Sequence, residues 1–97
     1  MGIFIMKLIL AIVHDEDAGR IVDVLTDADY RVTQIATSGG FFRKSNATLL
    51  IGTEAEQVDT VLDLIRQNSR PKKPTPRGES VARATVFVID VTRFERL

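Results

Sequence analysis

The 97-residue chain has no cysteine, no tryptophan and a single histidine, and its three prolines all fall between positions 71 and 76. Without cysteine, disulfides and thiolate metal ligands are excluded, and a reducing compartment is compatible with the composition. One histidine and no thiol leave little from which to build a nucleophile, a base and the third group that orients it, so an enzyme is not expected. His14 itself reads as a structural or solvated residue at a strand-to-helix junction. An excess of one charge is missing as well: thirteen Lys and Arg balance thirteen Asp and Glu. That balance removes the electrostatic footprint of a protein that binds a nucleic-acid polymer or an anionic membrane. The longest apolar stretch, Met1 to Val13, is too short to span a bilayer, so no membrane insertion is expected. It also lacks the order of charge, apolar run and small-residue cleavage site that marks a signal peptide. A cytoplasmic location is expected, and residues 1–5 are read as an extension preceding a natural start at Met6-Lys7.

What is present suits one domain covering residues 1–97, with 44% hydrophobic residues to build its core. Lys7 to Val13 is apolar and β-branched throughout, the composition of a central strand. Ile21, Val22, Leu25 and Ala28 recur at helical spacing after an acidic start at residues 15–17. Tyr30 to Ala36 alternates, placing Arg31, Thr33 and Ile35 on one face and Tyr30, Val32 and Gln34 on the other. Asn46 to Gly52 reads as a third strand paired with the second across a long loop. Thr53-Glu-Ala-Glu56 has the pattern of a capping box before a second helix, whose apolar face is Val58, Val61, Leu62 and Ile65. Ala84 to Val91 is a fourth strand. The order β-α-β-β-α-β predicts an α+β ferredoxin-like fold, a four-stranded antiparallel sheet with two helices on one face. The opposite face is apolar enough to need a partner, and identical subunits would supply one. Segments 37–45 and 69–81 are expected to be flexible loops.

Consecutive acids at Asp15, Glu16 and Asp17 are read as charges that complement a helix dipole, and no metal site is expected. No glycine-rich run ends in the Gly-Lys-Ser/Thr of a phosphate-binding loop. The positive signal is residues 30–46. Adjacent glycines at 39 and 40 let backbone amides approach an anion, Arg31 and Arg43 carry charge, and Phe41 and Phe42 are placed to stack on a base. The same residues would equally make a Gly-Gly turn whose aromatics fold back onto the core. Lys72, Lys73 and Arg77 in the second loop are read as solvating charges, with contact to a triphosphate as the other option.

Arg31-Val-Thr33, Ala36-Thr-Ser-Gly-Gly-Phe41, Asn46-Ala-Thr48, Leu50-Ile-Gly52 and Ala84-Thr-Val-Phe-Val88 together resemble the signature of the PII-like cyclic di-AMP receptors. The opening Met6 to Val13 and the closing Phe94-Glu-Arg96 resemble that family too. The resemblance implies a ferredoxin-like homotrimer that holds one cyclic di-AMP in each cleft between neighbouring subunits, needs no cofactor, and regulates a target protein through two ligand-responsive loops. It implies ligand contacts from Arg31, Thr33, Gly39, Gly40, Phe41, Phe42, Asn46 and Gly52. Ser45 stands where the family has glycine, and Ala82-Arg83 replaces its Gly-Gly pair. The loop at 69–80 is also shorter and more basic than the family pattern. These departures define the alternative, an interaction protein on the same scaffold that binds ATP, another anion or no ligand.

Overall fold

The computed structural model describes residues 5–35, 46–74, 76–78 and 82–97. Four strands and two helices follow one another as β1 (Met6–His14), α1 (Asp15–Asp27), β2 (Arg31–Ile35), β3 (Asn46–Glu54), α2 (Val58–Gln67) and β4 (Ala84–Asp90), with a short 3-10 turn at Ala55–Gln57 before α2. The strands form one antiparallel sheet in the order β2-β3-β1-β4. This is the ferredoxin-like α+β architecture expected from the element order. β1, the most continuously apolar strand, is central, and β2 and β4 are the edges.

Period-two alternation decides which side the helices cover. Ile9, Ala11 and Val13 of β1 and Ala47, Leu49 and Ile51 of β3 are buried on one face. Ala18, Ile21 and Leu25 of α1 and Val61 and Ile65 of α2 complete the same core. α1 ends in a turn in which Asp29 adopts a left-handed conformation (φ 71). There the Tyr30 N–H reaches the Leu25 carbonyl at 2.9 Å and the Asp29 N–H reaches that of Thr26 at 3.0 Å, the double closure of a Schellman motif. Tyr30 then enters β2 with its hydroxyl donating to Gln57 Oε1 at 2.8 Å, tying the start of β2 to the turn before α2.

Two expectations are corrected. Thr53 to Glu56 does not cap α2: β3 runs on to Glu54, with Thr53 buried opposite Lys7 in the β1 ladder. The helix begins only at Val58, where no side chain caps it. Nine residues of β1 find partners in β3, and these ladder bonds outweigh a local cap worth about 1 kcal/mol. Asp17 is not a surface charge either. It is buried within α1, while Asp15 and Glu16 stay exposed at the positive end of the helix dipole. Ile5, read as part of an extension, accepts a backbone hydrogen bond from the Ala55 N–H at 2.8 Å.

Candidate functional site

The face of the sheet without helices is organised in rows. Strand register aligns Arg31, Gly52, Leu8 and Ile89 in one row, Thr33, Leu50, Leu10 and Phe87 in the next, and Ile35, Thr48, Ile12 and Thr85 in the third. Each row has a member of β2 at one edge and a member of β4 at the other. Phe87 and Ile89 remain 53% and 43% exposed, and Leu8, Leu10, Ile12 and Leu50 are only half-buried. The sheet therefore presents a continuous apolar strip bordered by Arg31 and Thr33.

At one end of this face lies a cavity of about 530 Å³, lined among others by Arg31, Thr33, Leu50, Gly52, Phe94 and Arg96. Cavities of this volume are typical of sites for small organic ligands. The Val91 N–H bonds to the Met6 carbonyl at 3.2 Å, carrying the β1–β4 pairing one residue further, and the tail beyond contributes Phe94 and Arg96 to the cavity. Two guanidinium groups, Arg31 and Arg96, thus border one apolar floor. Forked guanidinium donors of this kind suit phosphate recognition. Neither makes an ion pair among the described residues. Lys7, at the cavity's margin, is paired with Asp90.

Gly52 is exposed in the middle of a strand, and a Cβ built on it meets nothing within 4 Å. Neither its backbone conformation nor its neighbours demand glycine, and glycine inside a strand weakens it. Gly52 thus leaves open backbone opposite Arg31, at the edge of the cavity.

Arg31, Thr33 and Gly52 are therefore brought together. Asn46 is not among them: it is the first residue of β3, opposite His14, at the far end of the strand. Six residues separate it from Gly52 along the strand, about 20 Å. His14 Nε2 lies 3.1 Å from the carbonyl oxygen of Ala82, so Asn46, His14 and the residues leading into β4 share that end of the molecule. Gly39, Gly40, Phe41 and Phe42 lie outside the described residues. Phe94 and Arg96 were missing from the sequence-based site. They follow the last strand as an irregular tail, and the signals that bore on them were the likeness of Phe94-Glu-Arg96 to the family pattern and the end of β4 beside the start of β1.

A second cavity, about 570 Å³, lies on the helix side between α2 and β4, lined by Leu62, Ile65, Arg66, Ser69, Arg83 and Val86. Arg66 is paired with Asp63 at 2.8 Å. Among the described residues, no helix is long and apolar enough to cross a membrane, and no three acidic or histidine side chains are gathered to hold a metal ion.

The connection after α2 is held against α1 by charge. Asp17, with a fully buried side chain, accepts hydrogen bonds from Lys72 Nζ at 2.7 Å and Arg20 Nη2 at 3.2 Å. Lys72 also donates to Glu16 at 2.6 Å, and its side chain is only 10% exposed. Burial pushes the Asp17 carboxyl up, but the Lys72 hydrogen bond, the Arg70 backbone N–H and the charges of Lys72 and Arg20 outweigh it and hold the carboxyl below its ordinary value. Burial likewise lowers Lys72, and its two carboxylate partners overcome that and raise it. Lys72, read from the sequence as a solvating or phosphate-facing cation, is committed to this pair. At the other end of β3, Glu54 is raised by a hydrogen bond with Glu56, helped by burial and by repulsion between the two carboxylates.

Comparison with known proteins agrees with this geometry. A functionally unknown protein from Pediococcus pentosaceus is 39% identical and superimposes with a TM-score of 0.78, covering 98% of this chain and 100% of that one. Two more distant structures share the fold. A DUF3240 family protein from Shewanella baltica is 12% identical with a TM-score of 0.67, covering 95% of this chain and 96% of its own. The PII protein of Arabidopsis thaliana, bound to citrate, is 17% identical with a TM-score of 0.68, covering 95% of this chain and 80% of its own. The model of the cyclic-di-AMP receptor family matches residues 6–77, from the first residue of β1 through α2 and into the connection that follows. The chain belongs to the cyclic-di-AMP receptor family.

Proposed function

We propose that this protein is a homotrimeric signalling protein of the cytoplasm that binds cyclic di-AMP between subunits and, through its two loops, changes its affinity for a target protein. The observation that carries the reading is Gly52: a glycine unneeded by its own fold, in a cavity shared with Arg31, Thr33 and Arg96. Arg31 and Arg96 supply charge for phosphate, Thr33 a hydroxyl, and the apolar floor and Phe94 a surface for a base. The separation of Asn46 from Gly52 supports a site assembled from two subunits, one offering the Arg31 end and the other the Asn46 end. The apolar rows ending in Phe87 and Ile89 support burial of the helix-free face against copies of the same chain.

A second reading, ATP or another anion in the same cleft, is favoured by Ala82-Arg83, both exposed immediately before β4 where the family carries two glycines. It is weakened by Lys72, whose ammonium is occupied by Asp17 and Glu16 and so is not offered to a triphosphate.

Native mass spectrometry of the purified protein with cyclic di-AMP tests both parts at once. The expected species is a trimer carrying up to three dinucleotides. A trimer that takes up ATP but not cyclic di-AMP would transfer the site to the second reading, and a monomer would remove the intersubunit cleft altogether.

A further inference from the structure

Residues 68–72 leave α2 and cross to the start of α1, and the side chains of Asn68, Ser69 and Lys72 each find a hydrogen-bond partner. The Ser69 hydroxyl donates to the Ile65 carbonyl at 2.6 Å, and the Asn68 amide nitrogen donates to that of Leu64 at 2.8 Å. Arg20 Nε reaches across from α1 to the Asn68 carbonyl at 3.3 Å. The Asp17 carboxylate receives Lys72 Nζ at 2.7 Å and Arg20 Nη2 at 3.2 Å. One buried carboxylate thus gathers a side chain of the connection and the facing arginine of α1. An isolated buried carboxylate is strongly disfavoured, so Asp17 and its donors form or break as a unit.

We propose that Asp17 and Lys72 are a permanent anchor which fixes residues 68–72 on α1 with or without bound nucleotide. Lys72 is thereby a positioning residue and not a phosphate contact, and any displacement of this connection on ligand binding starts after Lys72. The anchor itself needs no nucleotide; only the statement about displacement rests on the function proposed above. The basic loop divides in two: a docked part whose Lys72 is paired with Glu16 and Asp17, and a part containing the exposed Lys73 and Arg77 that answers a ligand.

Backbone amide exchange measured by NMR on the full-length protein tests this, with the amide of buried Ser69, which bonds to the Arg66 carbonyl at 3.3 Å, as reporter. Without nucleotide, that amide is expected to exchange about tenfold or more slowly than in an unstructured chain. Lys72→Met, which keeps the aliphatic stem, is expected to remove most of that protection while the amides of Ile9 and Leu49 in the sheet stay protected. Asp17→Asn serves as a second variant if the first is unstable. Added cyclic di-AMP is expected to move resonances of Lys73 and Arg77 and to leave those of Ser69, Arg70 and Lys72 in place. An unprotected Ser69 amide in the wild type, or one unchanged by Lys72→Met, would overturn the anchor. Nucleotide-induced shifts at residues 69–72 would overturn its permanence. If cyclic di-AMP moves no resonance anywhere, the proposed ligand fails while the exchange rates still decide the anchor.

Discussion

Arg31 and Gly52 stand opposite each other across the β2–β3 ladder, and the space above Gly52 is open. The pair combines a cation on an edge strand with a backbone left bare beside it, which is the arrangement a phosphodiester needs for close approach.

Gly52→Ala separates the demands of fold and ligand. Because the added methyl meets nothing within 4 Å, stability should stay level or rise by about 0.5–1 kcal/mol, as expected on removing glycine from a regular element. Nucleotide affinity should fall. Thermal unfolding and calorimetric titration of the same sample check both halves; undiminished binding by the alanine variant would mean that nothing approaches this position.

Arg31→Ala should leave the melting temperature nearly unchanged, since the side chain is exposed. It should weaken cyclic di-AMP binding by about 1.5–3 kcal/mol, the range for a hydrogen bond to a charged group, or roughly tenfold to a hundredfold. A large loss of stability would assign Arg31 to the structure instead.

Asp17→Ala should destabilise the fold, because it removes the carboxylate shared by Lys72 and Arg20 and leaves Lys72 with Glu16 alone. The pH dependence follows from the directions of the shifts. Asp17 is depressed on folding, so its contribution is complete above about pH 4, the ordinary Asp value, and is lost as pH falls through the lower folded value. Lys72 is raised on folding, so its contribution is complete below about pH 10 and is lost as pH rises through the higher folded value. Urea unfolding between pH 2 and 11, flanking these two limits, should therefore show an acid-side loss in the wild type that is smaller in the variant.

Phe87→Glu places a charge in the second row of the helix-free face, where the ring is 53% exposed in the single subunit. The subunit fold should survive, and the mass in solution should drop from that of the proposed trimer to that of a single chain. Sedimentation equilibrium reads this directly, and a variant that remains trimeric would move the contact surface away from this face.

Much of the fold was legible because its signals are local and repeated. The continuous apolar run of β1, the alternation in β2 and the 3.6-residue spacing of Ile21, Leu25, Val61 and Ile65 each report burial on one side of a single element. The capping box failed because a four-residue pattern carries no information about how far β1 extends, and the ladder through Thr53 and Glu54 took the residues the pattern needed. Of the candidate site, Arg31 and Thr33 could be placed together by the alternation of their strand, whereas Gly52 came through the family resemblance and only the β2–β3 register sets it opposite Arg31. Arg96 could not, since its position depends on the tail beyond the β1–β4 pairing. Asp17 and Lys72, 55 residues apart, look in sequence like two ordinary surface charges; only the crossing of the connection over α1 makes them partners.

The most direct measurement of the central claim is calorimetric titration of the wild-type protein with cyclic di-AMP, with ATP and cyclic di-GMP as controls. Saturable binding of one cyclic di-AMP per subunit, with both controls much weaker, is the expected result. A folded protein that gives no heat with cyclic di-AMP, or that prefers ATP, would contradict it and show that the cavity beside Gly52 serves a different ligand.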